Sequence, residues 1–205
     1  MSQLSFSRHF LQKVKLYLSS PVKHLYKGSI FGVLNTQRFE YTVRKAQQNT
    51  QQQSYSQQII KTIKFTLHNY INVTCTVICL NFILSKFIKN TSRSLEIKDY
   101  SFTFIVIILP IIEEIMHRGV FQRSLRLIPS LRISSRIVVA ASLFATTHLF
   151  NSGGYLNKLE AIVQCLTILL YPTESIVYEK SGLLMSIVSH ITNNLISILL
   201  IKSIA

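Results

Sequence analysis

The chain is poor in acids: eight Asp and Glu stand against 22 Lys and Arg in 205 residues, and charged residues of both signs make up 15%. With 48% hydrophobic residues and a mean hydropathy of +0.33, that excludes an ordinary soluble domain and suits a chain that crosses a membrane several times. Cysteine is scarce. Cys75, Cys79 and Cys165 fall in apolar runs, and the first two are four apart rather than in CxxC spacing, so all three read as buried, inert thiols. There is no HExxH, hence no zincin pattern, and no Gly-x-Ser-x-Gly to mark a serine nucleophile. No internal repeat is present, which weighs against a carrier built from paired halves. No continuous apolar core follows the first charges, which excludes a secretory signal. Tryptophan is missing altogether, and the abundance of Ile, Asn, Lys and Gln fits a low-GC or organellar genome.

What is present divides the chain. Residues 1–46 form a basic extension in which Phe10, Leu11, Val14, Tyr17 and Leu18 share one helical stripe, suited to a membrane interface or a targeting segment. Residues 47–58, QQNTQQQSYSQQ, are seven-twelfths glutamine and lack the apolar groups for a core, which predicts a flexible linker. A first span and its loop occupy 65–100, and a helical core occupies 101–205. Five apolar segments are expected as spans: about 65–88, 102 through the Glu113–Glu114 pair, 133–150, 159–178 and 183–201. The predicted fold class is therefore all-α, a polytopic membrane helix bundle of about five spans behind a basic N-terminal extension.

The net charge of +14 could suit nucleic acid, but ten of the 22 basic residues precede residue 65, where Glu40 is the one acid. That placement reads as positive-inside charge or attraction to anionic lipid, and nucleic acid is not expected as a partner. With five spans, the N-terminal side carries sixteen basic residues against six. The N-terminus is thus predicted on the cytoplasmic, stromal or matrix-like side of a bacterial plasma membrane or an organelle membrane.

The polar residues inside the apolar segments form a pattern. Glu113 and Glu114 follow the apolar SFTFIVIILP, where each charge costs roughly 2.5–3.5 kcal/mol unless it faces a polar interior. Glu113 lies 17 residues before Ser130 and His148 lies 18 after it, so a hairpin turning there brings both to one depth. Glu114 and Arg118 are i,i+4 in the favourable order for an ion pair, and His190 and Asn194 share a face in the same way. Phe144, one turn before His148, can wall in its ring, and Pro110 predicts a kink that opens space near Glu113. His117 reads as a bystander. One carboxylate, two imidazoles and an amide on three helices point to a catalytic or metal site.

These elements, EExxxR at Glu113–Arg118 with Gly119 following, FxxxH at Phe144–His148 and HxxxN at His190–Asn194, resemble in that order the CPBP or Abi family of CAAX proteases and bacteriocin-processing enzymes. The run SIVYEKSGLLMSIVSHITNN resembles the family's last hairpin, and the resemblance covers roughly residues 102–200. One departure is His117, where the family commonly has an aromatic residue before the motif arginine. The resemblance implies an intramembrane endopeptidase acting on a peptide or membrane-protein substrate in contact with membrane lipid. The roles expected are Glu113 as base, His148 sharing the water, His190 and Asn194 donating to the oxyanion, and Glu114 with Arg118 bracing them. A divalent metal such as zinc, held by Glu113, His148 and His190, is the alternative chemistry. A noncatalytic peptide-binding, immunity or scaffold protein, or a small carrier, are the alternatives from other classes.

Overall fold

A computed structural model describes residues 29–84, 102–150 and 158–204, and every regular element among them is helical. The interfacial stripe expected at residues 10–18 lies outside the described residues. In chain order the helices are α1 (Ile30–Leu34), α2 (Thr36–Gln51), α3 (Tyr55–Leu84), α4 (residues 102–125), α5 (Ile133–Phe150), α6 (Lys158–Leu170), α7 (Thr173–Ser181) and α8 (Leu183–Ile204).

Two N-terminal expectations need correction. Residues 29–46 are not an appendage: Val33 on α1 with Phe39 and Val43, one turn apart on α2, forms a buried cluster with Ile133 and Ile137 of α5 and Ile176 of α7. The glutamine-rich stretch is not a flexible linker either. Residues 47–51 end α2, 52–54 make the turn, and 55–58 begin α3. Glutamine is a good helix former, and its amide can serve backbone carbonyls that a turn leaves open. Gln58 Nε2 donates to the carbonyls of Thr50 (2.9 Å) and Gln53 (3.0 Å), and Gln47 Nε2 donates to that of Glu179 (2.6 Å).

The thirty residues of α3 are about 45 Å long at 1.5 Å per residue. Its Thr and Tyr residues find partners on neighbouring helices. Thr66 Oγ1 pairs with Ser189 Oγ (2.9 Å) and Tyr70 OH with Ser197 Oγ (3.1 Å), so α3 and α8 run parallel. Cys165 is buried as expected, but Cys75 and Cys79 are exposed on α3. They share a face because they are four apart, and that face is turned away from α8.

Pro172 divides the fourth apolar segment into α6 and α7, since proline cannot donate to the ladder and disfavours helical backbone before it. A single residue, Gly182, separates α7 from α8, with φ 85° and ψ −175°, a region essentially confined to glycine. Among the described residues two helical segments are long and apolar enough to cross a membrane, Ile133–Phe150 (α5) and Ala161–Ser181, which runs from α6 across the Pro172 break into α7, and Leu183–Leu199 is a shorter apolar helix.

Candidate active site

The site is built on α4, which is not a regular α-helix. Phe104–Ile108 and Ile115–Gln122 are π-helical, flanking an α-helical stretch at Leu109–Glu114. In the first π turn Leu109 N–H donates to Phe104 O, five residues back. Continuing that register would offer Ile105 O to residue 110, which is proline and has no N–H. The orphaned carbonyl is taken by Asn194 Nδ2 of α8, at 3.2 Å.

α8 packs antiparallel to α4. A Cβ at Gly119 would stand 3.3 Å from Leu183 Cδ2, so glycine there permits the close approach at the start of α8. One turn further on, Ser186 Oγ donates to Glu114 Oε2. Glu114 is fully buried and also meets Arg118 Nη1 at 3.2 Å and His190 Nδ1 at 3.0 Å. Two hydrogen-bonding groups and a guanidinium in ion-pair contact around one carboxylate supply what a buried charge needs.

His190 bridges the two glutamates. Its Nδ1 faces Glu114, and its Nε2 lies 3.5 Å from Glu113 Oε2. The Glu113 side chain is 23% exposed, whereas Glu114 is completely enclosed. Two adjacent carboxylates therefore occupy different settings, one sealed against donors and one open to a small molecule.

Phe144 is the hub on the other side. The rings of His117, His148 and His190 lie 4.8, 4.6 and 5.8 Å from its centroid, all edge-on, and the Arg118 guanidinium sits 4.2 Å above it. Such placements use the ring's negative face and positive edge. His148 Nδ1 is 2.8 Å from Phe144 O, which fixes the proton on Nδ1 and leaves Nε2 with its lone pair. His117, read as a bystander, packs on the same ring.

Of the expected residues, Glu113, Glu114, Arg118 and His190 form one connected group, and His148 joins it through Phe144. Asn194 does not share a partner with His190; its amide is engaged by Ile105 O. Among the described residues no three His, Cys, Asp or Glu side chains converge as a metal-ligand set.

Sequence reasoning missed three features. Ser186 stands four residues before His190, in the spacing that links His190 to Asn194, and could have been found on that ground. Buried Glu174 of α7 accepts from Asn193 Nδ2 and lies within electrostatic reach of both Glu113 and His190. Buried Glu179 gathers Gln122 Nε2 (3.1 Å), Arg126 Nη2 (3.3 Å), and Arg136 through Nε (3.3 Å) and Nη2 (3.1 Å). Glu114, Arg118 and Gln122 make a fully buried polar stripe at four-residue spacing, which Arg126 prolongs to Glu179. In a regular α-helix residues eight apart diverge by about 80°.

Residues 100–196 match the family model described as type II CAAX prenyl endopeptidase Rce1-like. This region is similar to the Rce1-like family of CAAX proteases. The Rce1-like region includes every expected site residue, together with Ser186, Glu174 and Glu179, and excludes α1, α2 and α3. No curated protein and no solved structure gave a match.

Proposed function

We propose that the chain is an intramembrane endopeptidase of the CAAX-protease type, hydrolysing a peptide bond with a water activated at Glu113. The observation that carries this reading is His190 held between a sealed and an open carboxylate, Glu114 and Glu113. Facing an ionised Glu114, Nδ1 must carry a proton. The 3.5 Å approach of Nε2 to Glu113 is then favourable when one proton lies between them, on Nε2 or on the carboxyl.

The reaction follows from that proton. With the shared proton on His190 Nε2, Glu113 is ionised and takes a proton from water as the water oxygen bonds the scissile carbonyl carbon. Glu114 stabilises the imidazolium from the other face, as an orienting carboxylate does in other hydrolases. His190 Nε2–H offers a donor to the oxyanion, and the proton held by Glu113 leaves with the amine as the C–N bond breaks. His148 Nε2, with its lone pair, can accept from the attacking water. Ser186 and Arg118 hold Glu114, and Asn194 holds the helix. No step is routed through a metal.

Five helical spans with the N-terminal end on the cytoplasmic, stromal or matrix-like side complete the reading. The bonds of Gln47, Arg126 and Arg136 to Glu179 support it, because they gather the α2–α3, α4–α5 and α7–α8 turns at one basic end. Substrates are peptides or membrane-protein segments reaching the bundle interior.

The test compares new peptide termini in membranes carrying wild-type protein or Glu113→Gln at equal folded levels. Termini that need Glu113 are expected. Identical termini in both would overturn the reading in favour of a noncatalytic peptide-binding role.

A further inference from the structure

Glu174 is a buried acid in the first turn of α7, and the reaction described above does not use it. It stands eight residues before Gly182, the turn into α8, and His190 stands eight after that turn. In antiparallel helices of equal rise the two therefore share one depth. The Glu174 charge acts on both His190 and Glu113, which places it beside them. Its hydrogen bond goes to Asn193, whose Nδ2 donates to Glu174 Oε1.

That bond ties α8 to α7 three residues after His190. Two others grip the same stretch of α8. Ser189 Oγ pairs with Thr66 Oγ1 of α3 (2.9 Å), and Asn194 Nδ2 donates to Ile105 O of α4 (3.2 Å). At about 100° per residue, Ser186, His190 and Asn194 face α4 together, while Ser189 and Asn193 lie about 60–100° round the helix. Bonds to three helices thus fix the rotation of α8 as well as its depth. The bond to Glu174 is the one of the three made to a carboxylate, and charge-assisted bonds are roughly twice as strong as neutral ones. Rotation is what the site tolerates least. Side chains reach about 5–6 Å from a helix axis, so a turn of about 10° moves their tips by about 1 Å. His190 Nε2 already stands 3.5 Å from Glu113 Oε2, at the outer limit of a hydrogen bond. A displacement of about 1 Å away from Glu113 would part them, and misplacements of that size can cost about a hundredfold in rate.

We propose that Glu174 is a positioning residue for the peptidase reaction: by holding Asn193 it sets the rotation of α8 and keeps His190 Nε2 aimed at Glu113. The inference rests on the function proposed above, but the aim of His190 can be read without catalysis.

The experiment takes the full-length protein in detergent, with the heavy nitrogen isotope in its histidines, and reads the His190 Nε2 resonance by NMR. Glu113→Gln identifies that resonance by changing the group it faces. Peptides whose cleavage depends on Glu113 supply the substrate for kcat and KM. Glu174→Met keeps the volume and removes the acceptor. It should move the His190 Nε2 resonance and lower kcat about thirtyfold, with KM within about twofold. Glu174→Gln keeps an acceptor for Asn193, so it should restore the wild-type resonance and bring kcat to within about threefold. Asn193→Ala breaks the same bond from the other helix and should match Glu174→Met, and the two together should cost no more than either alone. It also replaces Glu174→Met if thermal unfolding shows that variant to be misfolded. A wild-type His190 resonance in both Glu174→Met and Asn193→Ala would overturn the proposal, whatever the activity. An equal loss in Glu174→Gln and Glu174→Met would overturn it too, since charge and not the bond to Asn193 would then be the cause. A displaced resonance in a protein that cuts no peptide would uphold the aiming of His190 and overturn the peptidase reading instead.

Discussion

The Asn194 side-chain amide donates to the main-chain carbonyl of Ile105, 3.2 Å away across the contact between the last helix and the site-bearing one. A proline five residues on leaves that carbonyl without its helical donor, so one side chain repairs what the proline breaks. Asn194→Ala should therefore cost about 1–3 kcal/mol of stability, the penalty for a buried acceptor left unmade. Pro110→Ala restores an N–H in the right register and should soften that loss. A double-mutant cycle on thermal unfolding checks it: the two changes should couple rather than add.

Ser186 is the neutral donor to Glu114, alongside Arg118 and His190. Ser186→Ala removes a hydrogen bond to a buried charged group, worth about 1.5–3 kcal/mol, and the low end is expected because the His190 hydrogen bond and the Arg118 ion pair remain. In a peptidase assay kcat should fall with KM nearly unchanged, since Ser186 acts on the orientation of His190 and not on the substrate. A change confined to KM would contradict that role.

The cluster at Glu179 predicts an ordering. Glu179→Gln strips a buried charge from two arginines and should cost about 3–5 kcal/mol. Arg126, whose side chain is 37% exposed, should cost under about 1 kcal/mol when changed to Gln. Arg136, which grips both carboxylate oxygens and is 14% exposed, should fall between them. Denaturation midpoints of the three variants in one detergent would test the order.

Gly182→Ala isolates backbone from packing. No atom lies within 4 Å of where the new methyl would go, so space is not the obstacle. The φ of 85° with ψ of −175° is, and about 1–3 kcal/mol of destabilisation is expected. Thermal unfolding measures it, and an unchanged midpoint would mean the α7–α8 turn adapts.

The legible part of this site was the part with local spacing. Glu114 and Arg118, and His190 with its neighbour four residues away, follow from helical pitch alone. Ser186 obeys the same pitch, and only that spacing marked it, because a serine hydroxyl in an apolar helix is ordinary. The π turns were illegible because an apolar run such as FIVII can take either register, and only Pro110 hinted at a defect. Glu179 stands beside Lys180 near a helix end, where a pair of opposite charges is ordinary. Its partners lie 43 to 57 residues earlier in the chain, which no local pattern encodes. The glutamine-rich stretch was misread because composition was weighed without helix propensity. The α1–α2 core residues were hidden among basic ones, with their partners far along the chain.

Gln47 and Glu179 meet although 132 residues separate them. During synthesis the first helices of the described chain leave the ribosome long before α7 exists. The surface of Val33, Phe39 and Val43 must then wait, uncovered, for helices still to be made. At about 5–20 residues per second that interval is roughly 7–26 s. The polypeptide closes on itself late, with its earliest helices sealed by nearly its last. A fragment cut to the borders of the Rce1-like match would leave Ile133, Ile137 and Ile176 without the residues that cover them. The unit of folding is larger than the unit of kinship.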